Sequence, residues 1–212
     1  VDLIMANGTT ALQAAATDTS TIPILGTSIT EYGVALGIDG FTGTTGYNVS
    51  GTSDLAPLDQ QAEMLHTWFP DAQTVGLLYC SAEPNSQYQV DTVQGYLEDL
   101  GYTCTQYSFS VPTDNTAANN AELIGNISLD TGTPIIAGEE GICKGCGVAT
   151  LTISYYDIGY KTGEMAYDIL VNGADPATMP IEYAPQFTPK YNPTMCEALG
   201  LTPPDGYEAI AE

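Results

Sequence analysis

The polar residues of this chain that could do chemistry fall in short clusters, each placed just after a hydrophobic run. Asn7-Gly8-Thr9-Thr10 follows residues 3–6, Thr27-Ser28-Ile29-Thr30 follows 22–25, and Cys80-Ser81-Ala82-Glu83-Pro84-Asn85-Ser86 follows 74–79. Pro112-Thr113-Asp114-Asn115-Thr116 follows 103–109, and Gly138-Glu139-Glu140-Gly141 follows 135–137. Small hydroxyls, amides and carboxylates are groups that hold a ligand by hydrogen bonds. Turnover finds less support. The only histidine, His66, lies on a helical pattern away from these clusters, and no GxSxG elbow, phosphate loop or dinucleotide fingerprint occurs.

Cysteine chemistry has one candidate. Cys143-Lys144-Gly145-Cys146 is a CxxC, open to three readings: structural thiols or a local disulfide, half of a zinc site, or a redox pair. A zinc site wants a second CxxC or a near histidine, and neither occurs. A redox pair should open a helix after a strand, whereas Gly141, Gly145 and Gly147 give this stretch the composition of a turn. The five cysteines (80, 104, 143, 146 and 196) are too few for a disulfide scaffold in 212 residues, and structural thiols or a local disulfide are the favoured reading.

Positioning these clusters requires regular elements, and the sequence supplies them in alternation. Strand-like runs at 3–6, 22–25, 74–79, 103–109 and 135–137 alternate with helical patterns at 10–17, 58–69, 87–100, 117–128 and 156–171. This predicts an α/β fold with parallel sheets and crossover helices. In such sheets ligands gather beyond the carboxyl ends of the strands, where the polar clusters stand. Residues 41–47 and 172–176 carry turn chemistry, and the first is expected to be a hinge. The opening Val1-Asp2-Leu3-Ile4-Met5 reads as a strand already inside a fold, with the true N-terminus absent. Between Ser110 and Val111 the join is too short for the crossover of a dozen or more residues expected there, so a segment is expected to be missing.

Composition narrows the partners. Three Lys, no Arg and 26 acidic residues give a net charge of −23, which repels phosphate backbones and anionic headgroups and excludes nucleic acid. No apolar run approaches the roughly 20 residues of a membrane-spanning helix.

Several segments occur in a telling order: Asn48-Val49-Ser50-Gly51-Thr52-Ser53-Asp54, Glu83-Pro84-Asn85-Ser86, Pro112-Thr113-Asp114-Asn115-Thr116, Gly138-Glu139-Glu140-Gly141, Tyr155-Tyr156-Asp157-Ile158-Gly159 and Ala198-Leu199-Gly200-Leu201. Together, and over nearly the whole chain, they resemble the ABC transporter substrate-binding protein family whose characterised members include tryptophan-binding lipoproteins. The resemblance implies a type I periplasmic-binding-protein fold, two Rossmann-like lobes with parallel sheets joined by a hinge. Residues 1–53 with 156–180 would form lobe one, partial because its first strands are lacking; 54–155 with 181–212 would form lobe two. It also implies an extracytoplasmic, monomeric protein, lipid-anchored at the cell surface or periplasmic, that binds a small ligand between its lobes for an ABC permease, without cofactor or catalysis. An amino acid is the expected ligand, an aromatic one favoured. The alternatives are a sensor ectodomain of the same fold, a small hydrolase, or a CxxC redox protein.

An amino-acid ligand needs donors for its carboxylate and acceptors for its ammonium. Without Arg no guanidinium clamp exists, so main-chain N–H groups and hydroxyls must serve the carboxylate, and Thr9, Thr10, Ser28, Asn85 and Ser86 are the candidates. Thr9 and Ser86 are equally explained as helix caps. For the ammonium the candidates are Asp114 and either Glu139 or Glu140, with Asp54 a third; Asp114 also reads as a cap. Glu83, Asn115 and Thr116 complete the expected set, and Tyr47, with Tyr32 and Tyr155, could stack on an aromatic ring.

Overall fold

The computed structural model describes residues 1–110 and 117–211. In chain order the elements are β1 (Ile4–Asn7), α1 (Thr9–Asp18), β2 (Ile24–Ile29), α2 (Tyr32–Leu36), β3 (Val49–Ser53), α3 (Leu58–Trp68), β4 (Thr74–Cys80), α4 (Pro84–Asp99), β5 (Thr103–Phe109), α5 (Ala117–Thr131), β6 (Ile136–Ala137), α6 (Glu140–Cys146), β7 (Ala149–Thr152), α7 (Tyr155–Leu170), β8 (Glu182–Tyr183), β9 (Thr188–Tyr191), α8 (Pro193–Leu199) and β10 (Glu208–Ala209). The α/β alternation expected from the sequence is present. The chain divides into two units, Val1–Leu55 with Ser154–Gln186, and Ala56–Ile153 with Phe187–Glu212.

The first unit is a parallel sheet of order β1-β2-β3-β8. Parallel sheets persist where both faces are covered. Here Leu12 of α1 and Tyr32 and Ala35 of α2 pack on Ile24, Ile29 and Val49, while Met165 and Ile169 of α7 pack on Leu25. Each such large aliphatic side chain contributes about 2 kcal/mol by leaving water. The last boundary falls at Gln186 rather than residue 180 because β8 pairs with β3, Ser53 opposite Tyr183.

The second unit holds a parallel pair, β4-β5, and a four-stranded sheet of order β10-β9-β7-β6 in which β7 and β9 run antiparallel. Helix α3 serves both: Ala62 joins Leu97 and Tyr102 over Val75 and Leu77, and Met64 joins Val148, Leu151 and Met195. Helices α5 and α6 meet at glycine, a methyl group on Gly125 being barred by the Gly145 carbonyl. The join expected to lack a crossover abuts residues 111–116, outside the described residues; before it β5 pairs with β4, and after it α5 packs on α6.

Three local expectations are corrected. The segment from Asn48 to Asp54, not among the expected strands, contains β3, buried at all five positions. Its Ser50 hydroxyl donates to the Met179 carbonyl (3.0 Å), Thr52 shares a hydrogen bond with Thr162 (2.8 Å) and Ser53 donates to the Thr30 carbonyl (2.7 Å), so a polar strand is buried with its hydroxyls satisfied. The CxxC lies on helix α6, not in a turn. Helix α4 begins at Pro84, a residue suited to a first helical position, which brings Asn85 and Ser86 into its first turn.

Gly51 sits in β3 at φ 145°, where an added methyl group would run into the Gly26 carbonyl and the Tyr32 hydroxyl. Gly51→Ala is therefore expected to destabilise the protein by about 3 kcal/mol, read as a lower urea midpoint with an unchanged slope.

Candidate functional site

All four strands of the first sheet end at one edge, and their last residues set the site. Beyond β1, Gly8 takes φ 89° and its N–H donates to the Thr27 carbonyl (3.0 Å), turning the chain straight into α1. Gly8 is the N-cap and brings no side-chain cap, and no acidic residue stands in the first turn, so the α1 amino end carries the positive end of the helix dipole at Thr9 and Thr10. The expectation that Thr9 caps this helix is not met.

Beyond β2 the ladder slips between Gly26 and Ile29, and Ser28 adopts φ 55°, the one left-handed non-glycine among the described residues. Such a conformation costs about 1 kcal/mol or more and is held only where the surroundings impose it. Here the Asp54 N–H bonds the Ile29 carbonyl (3.0 Å) and the Ser53 hydroxyl bonds the Thr30 carbonyl (2.7 Å), pinning the slip.

Beyond β3 stands Asp54. One carboxylate oxygen, Oδ2, accepts from the Tyr155 hydroxyl at 3.4 Å, while Oδ1 is buried with no hydrogen-bond partner. Burial raises its pKa above the ordinary aspartate range, and the neighbouring Thr30 and Tyr155 side chains offset part of that rise. A buried carboxylate with an open oxygen is an acceptor short of a donor. Tyr155, at the start of α7, and Tyr183, at the end of β8, are about half exposed beside it. Strand spacing puts the α1 end and Asp54, two strands apart, at roughly 10 Å. An α-amino acid with a hydrogen bond at each end spans roughly 9 Å from donor to acceptor.

The remaining candidates separate. Tyr47 precedes β3 and so stands at the opposite, amino end of the sheet, roughly 15 Å from Asp54. Tyr32 is a core residue whose hydroxyl donates to the Thr52 carbonyl (3.1 Å) and whose pKa burial drives upward. In the second unit Glu83 is the N-cap position of α4 without a side-chain cap bond, Ser86 donates from its hydroxyl to Glu83 Oε2 (3.4 Å), and Asn85 is buried. Glu139 caps α6, accepting from Gly141 (2.9 Å) and Ile142 (2.5 Å). Glu140 accepts from Lys190 (2.8 Å) and Thr152 (3.3 Å), and the Lys190 ammonium lowers its pKa. Both glutamates expected to take an ammonium are thus engaged within the fold. Asp114, Asn115 and Thr116 lie outside the described residues. Thr30 and Tyr183 were not singled out by the sequence; Thr30 stood in a quoted cluster, whereas a two-residue strand gives Tyr183 no pattern.

His66 pairs through Nδ1 with the Tyr102 hydroxyl (2.8 Å), a packing role. All five cysteines are free thiols; Cys143 and Cys146 are buried, and burial pushes them up to about 12 and about 11. Among the described residues no cluster of three metal-ligating side chains occurs, and no helix is long and apolar enough to cross a membrane.

The chain matches the family model described as ABC transporter substrate binding protein over residues 1–108 and 102–211. It is 33% identical over 189 residues to a tyrosine-binding protein of Clostridioides difficile, covering 80% of this chain and 54% of that one, so it spans about half the length of the curated relative it matches. Among solved structures it resembles the ABC domain in complex with L-Trp from Streptococcus pneumonia (TM-score 0.85, 27% identity, 99% of this chain and 81% of that chain). It also resembles the ligand-free, open structure of a substrate binding protein with adhesive properties from Clostridium difficile (TM-score 0.79, 32% identity, 99% and 78%).

Two outcomes follow from this geometry. Because the folded pKa of Asp54 is raised, its contribution to stability is full below the unfolded aspartate value and is lost as pH rises through the folded value. Asp54→Asn is therefore expected to be at least as stable as the parent near pH 7, with the difference shrinking toward pH 4, in urea titrations at both values. Native Cys143 and Cys146 are expected to resist iodoacetamide at pH 8, at least about 100-fold more slowly than in urea-unfolded protein, by peptide mass mapping.

Proposed function

We propose a function that starts from one fact: the chain belongs to the ABC transporter substrate-binding protein family. The proposed role is to capture a free amino acid outside the cytoplasm and deliver it to an ABC permease, without chemical turnover. The observation that carries the reading is the buried, unpartnered oxygen of Asp54 two strand spacings from the start of α1, whose N-cap is a glycine. The ligand ammonium donates to Asp54 and restores the solvation that burial removed; the ligand carboxylate accepts main-chain N–H groups at Thr9 and Thr10. Tyr155 and Tyr183 offer flat faces for an aromatic side chain. The tyrosine named for one relative and the L-Trp bound by another support an aromatic amino acid.

Calorimetry and thermal shift with the twenty amino acids test this. Tyrosine, tryptophan or phenylalanine at about 100 times its Kd is expected to raise Tm by roughly 5–10 °C. Tryptamine, lacking the carboxylate, and indolepropionate, lacking the ammonium, should each bind at least about 30-fold more weakly than tryptophan, and Asp54→Asn should weaken amino-acid binding by a similar factor. Absence of binding by every amino acid, or equal affinity in Asp54→Asn, overturns the reading.

A further inference from the structure

Helix α7 carries two apolar faces. Ile158, Thr162, Met165 and Ile169 are buried, with Met165 and Ile169 packed on Leu25 of the first sheet. On the opposite side Tyr156, Tyr160, Tyr167 and Leu170 are 78%, 64%, 59% and 55% exposed. A helix on the surface of a domain normally turns charged and polar residues outward. Here the outward positions 156, 160, 163, 167 and 170 are spaced four, three, four and three residues apart, the repeat of a helix-packing seam, and extend roughly 21 Å.

The seam is ordered and has room for a neighbour. Tyr156 and Tyr160 stack on each other with centroids 6.5 Å apart and planes 25° apart, and Gly163 at its middle has no atom within 4 Å of the position a methyl group would take. Scattered exposed apolar residues are ordinary, but a continuous row at helical spacing marks a contact surface.

Charge selects the occupant. Asp157, Glu164 and Asp168, all exposed, follow the seam along one flank. Lys161 on the same flank is held at 3.6 Å by Glu164, and Asn172 donates to Asp168 (2.8 Å). On a chain of net charge −23 this acidic margin repels a second copy and anionic lipid alike. We propose that the outer face of α7 is a docking surface for a helix of another protein, apolar along one stripe and basic along the flank that meets Asp157, Glu164 and Asp168. The surface is separate from the amino-acid site and does not depend on that site's ligand.

The test uses a synthetic helical peptide of 21 residues with leucine at seam positions and lysine along one flank, beside a counterpart with glutamate in place of lysine. By fluorescence anisotropy the lysine peptide is expected to bind, the glutamate peptide not. Tyr156→Ser/Tyr160→Ser/Tyr167→Ser, which alters only side chains more than half exposed, should weaken binding about tenfold or more with circular dichroism and Tm preserved. Asp157→Asn/Glu164→Gln/Asp168→Asn should weaken it severalfold and flatten its salt dependence. Bound peptide should also protect the three seam tyrosines from nitration by tetranitromethane. Equal affinity in the triple serine variant would mean attraction to net charge alone and overturns the proposal. So does a dimer in sedimentation that the serine variant abolishes, or seam-dependent binding to phosphatidylcholine vesicles.

Discussion

The carboxyl edge of the first sheet depends on how closely β2 and β3 approach at Gly26 and Gly51. A methyl group at either would collide with the Tyr32 hydroxyl, which lies over this point and donates to the Thr52 carbonyl. That contact fixes α2 against the sheet and sets the end of β3, so Asp54 emerges where the Ile29 carbonyl can hold its N–H. The register slip at Ser28 belongs to the same arrangement, since β2 must shift between Gly26 and Ile29 for Ser53 and Asp54 to be pinned. Strain at one serine and burial of one carboxylate are together the cost of this arrangement.

A chain without arginine has limited means of holding an anion. Helix α1 has a glycine N-cap, which brings no side chain to its first turn as a serine or aspartate would. The contrast with α6 is direct: Glu139 caps it, and Glu140 beside it is neutralised by Lys190. Two helices that follow strands in similar fashion thus differ in one N-cap residue.

This contrast also explains what the sequence could and could not convey. The alternation of strands and helices was legible because apolar periodicity survives wherever a face is buried, as in α7 and β4. Asp54 stood among the candidate acceptors, but its burial and its open oxygen were not legible. Strand β3 was not, because Val49-Ser50-Gly51-Thr52-Ser53 is buried through hydrogen-bonded hydroxyls and shows no apolar pattern. The capping of α6 by Glu139 was not legible because capping and ligand binding use the same atoms. The place of Tyr47 before β3 was not legible because turn residues look alike at both ends of a strand. The CxxC helix was hidden by glycines that are present for packing: Gly145 meets Ala121, and Gly147 meets Ala137 and Cys143.

Helix α7 joins these themes. Its first residue, Tyr155, touches Asp54, and its buried Thr162 is tied to Thr52 at 2.8 Å, so the inner face is locked to the strand that carries the acceptor. Met165 and Ile169 add apolar packing on Leu25 further along. An interior bound at so many points does not rotate to suit a neighbour, because close-packed cores shift between discrete arrangements rather than deform. A partner on the outer tyrosine row would therefore meet a fixed surface, and Tyr155 would keep its place beside Asp54 whether or not that row is covered. The buried stripe of α7 thus sets the phase of both Tyr155 and the outer row.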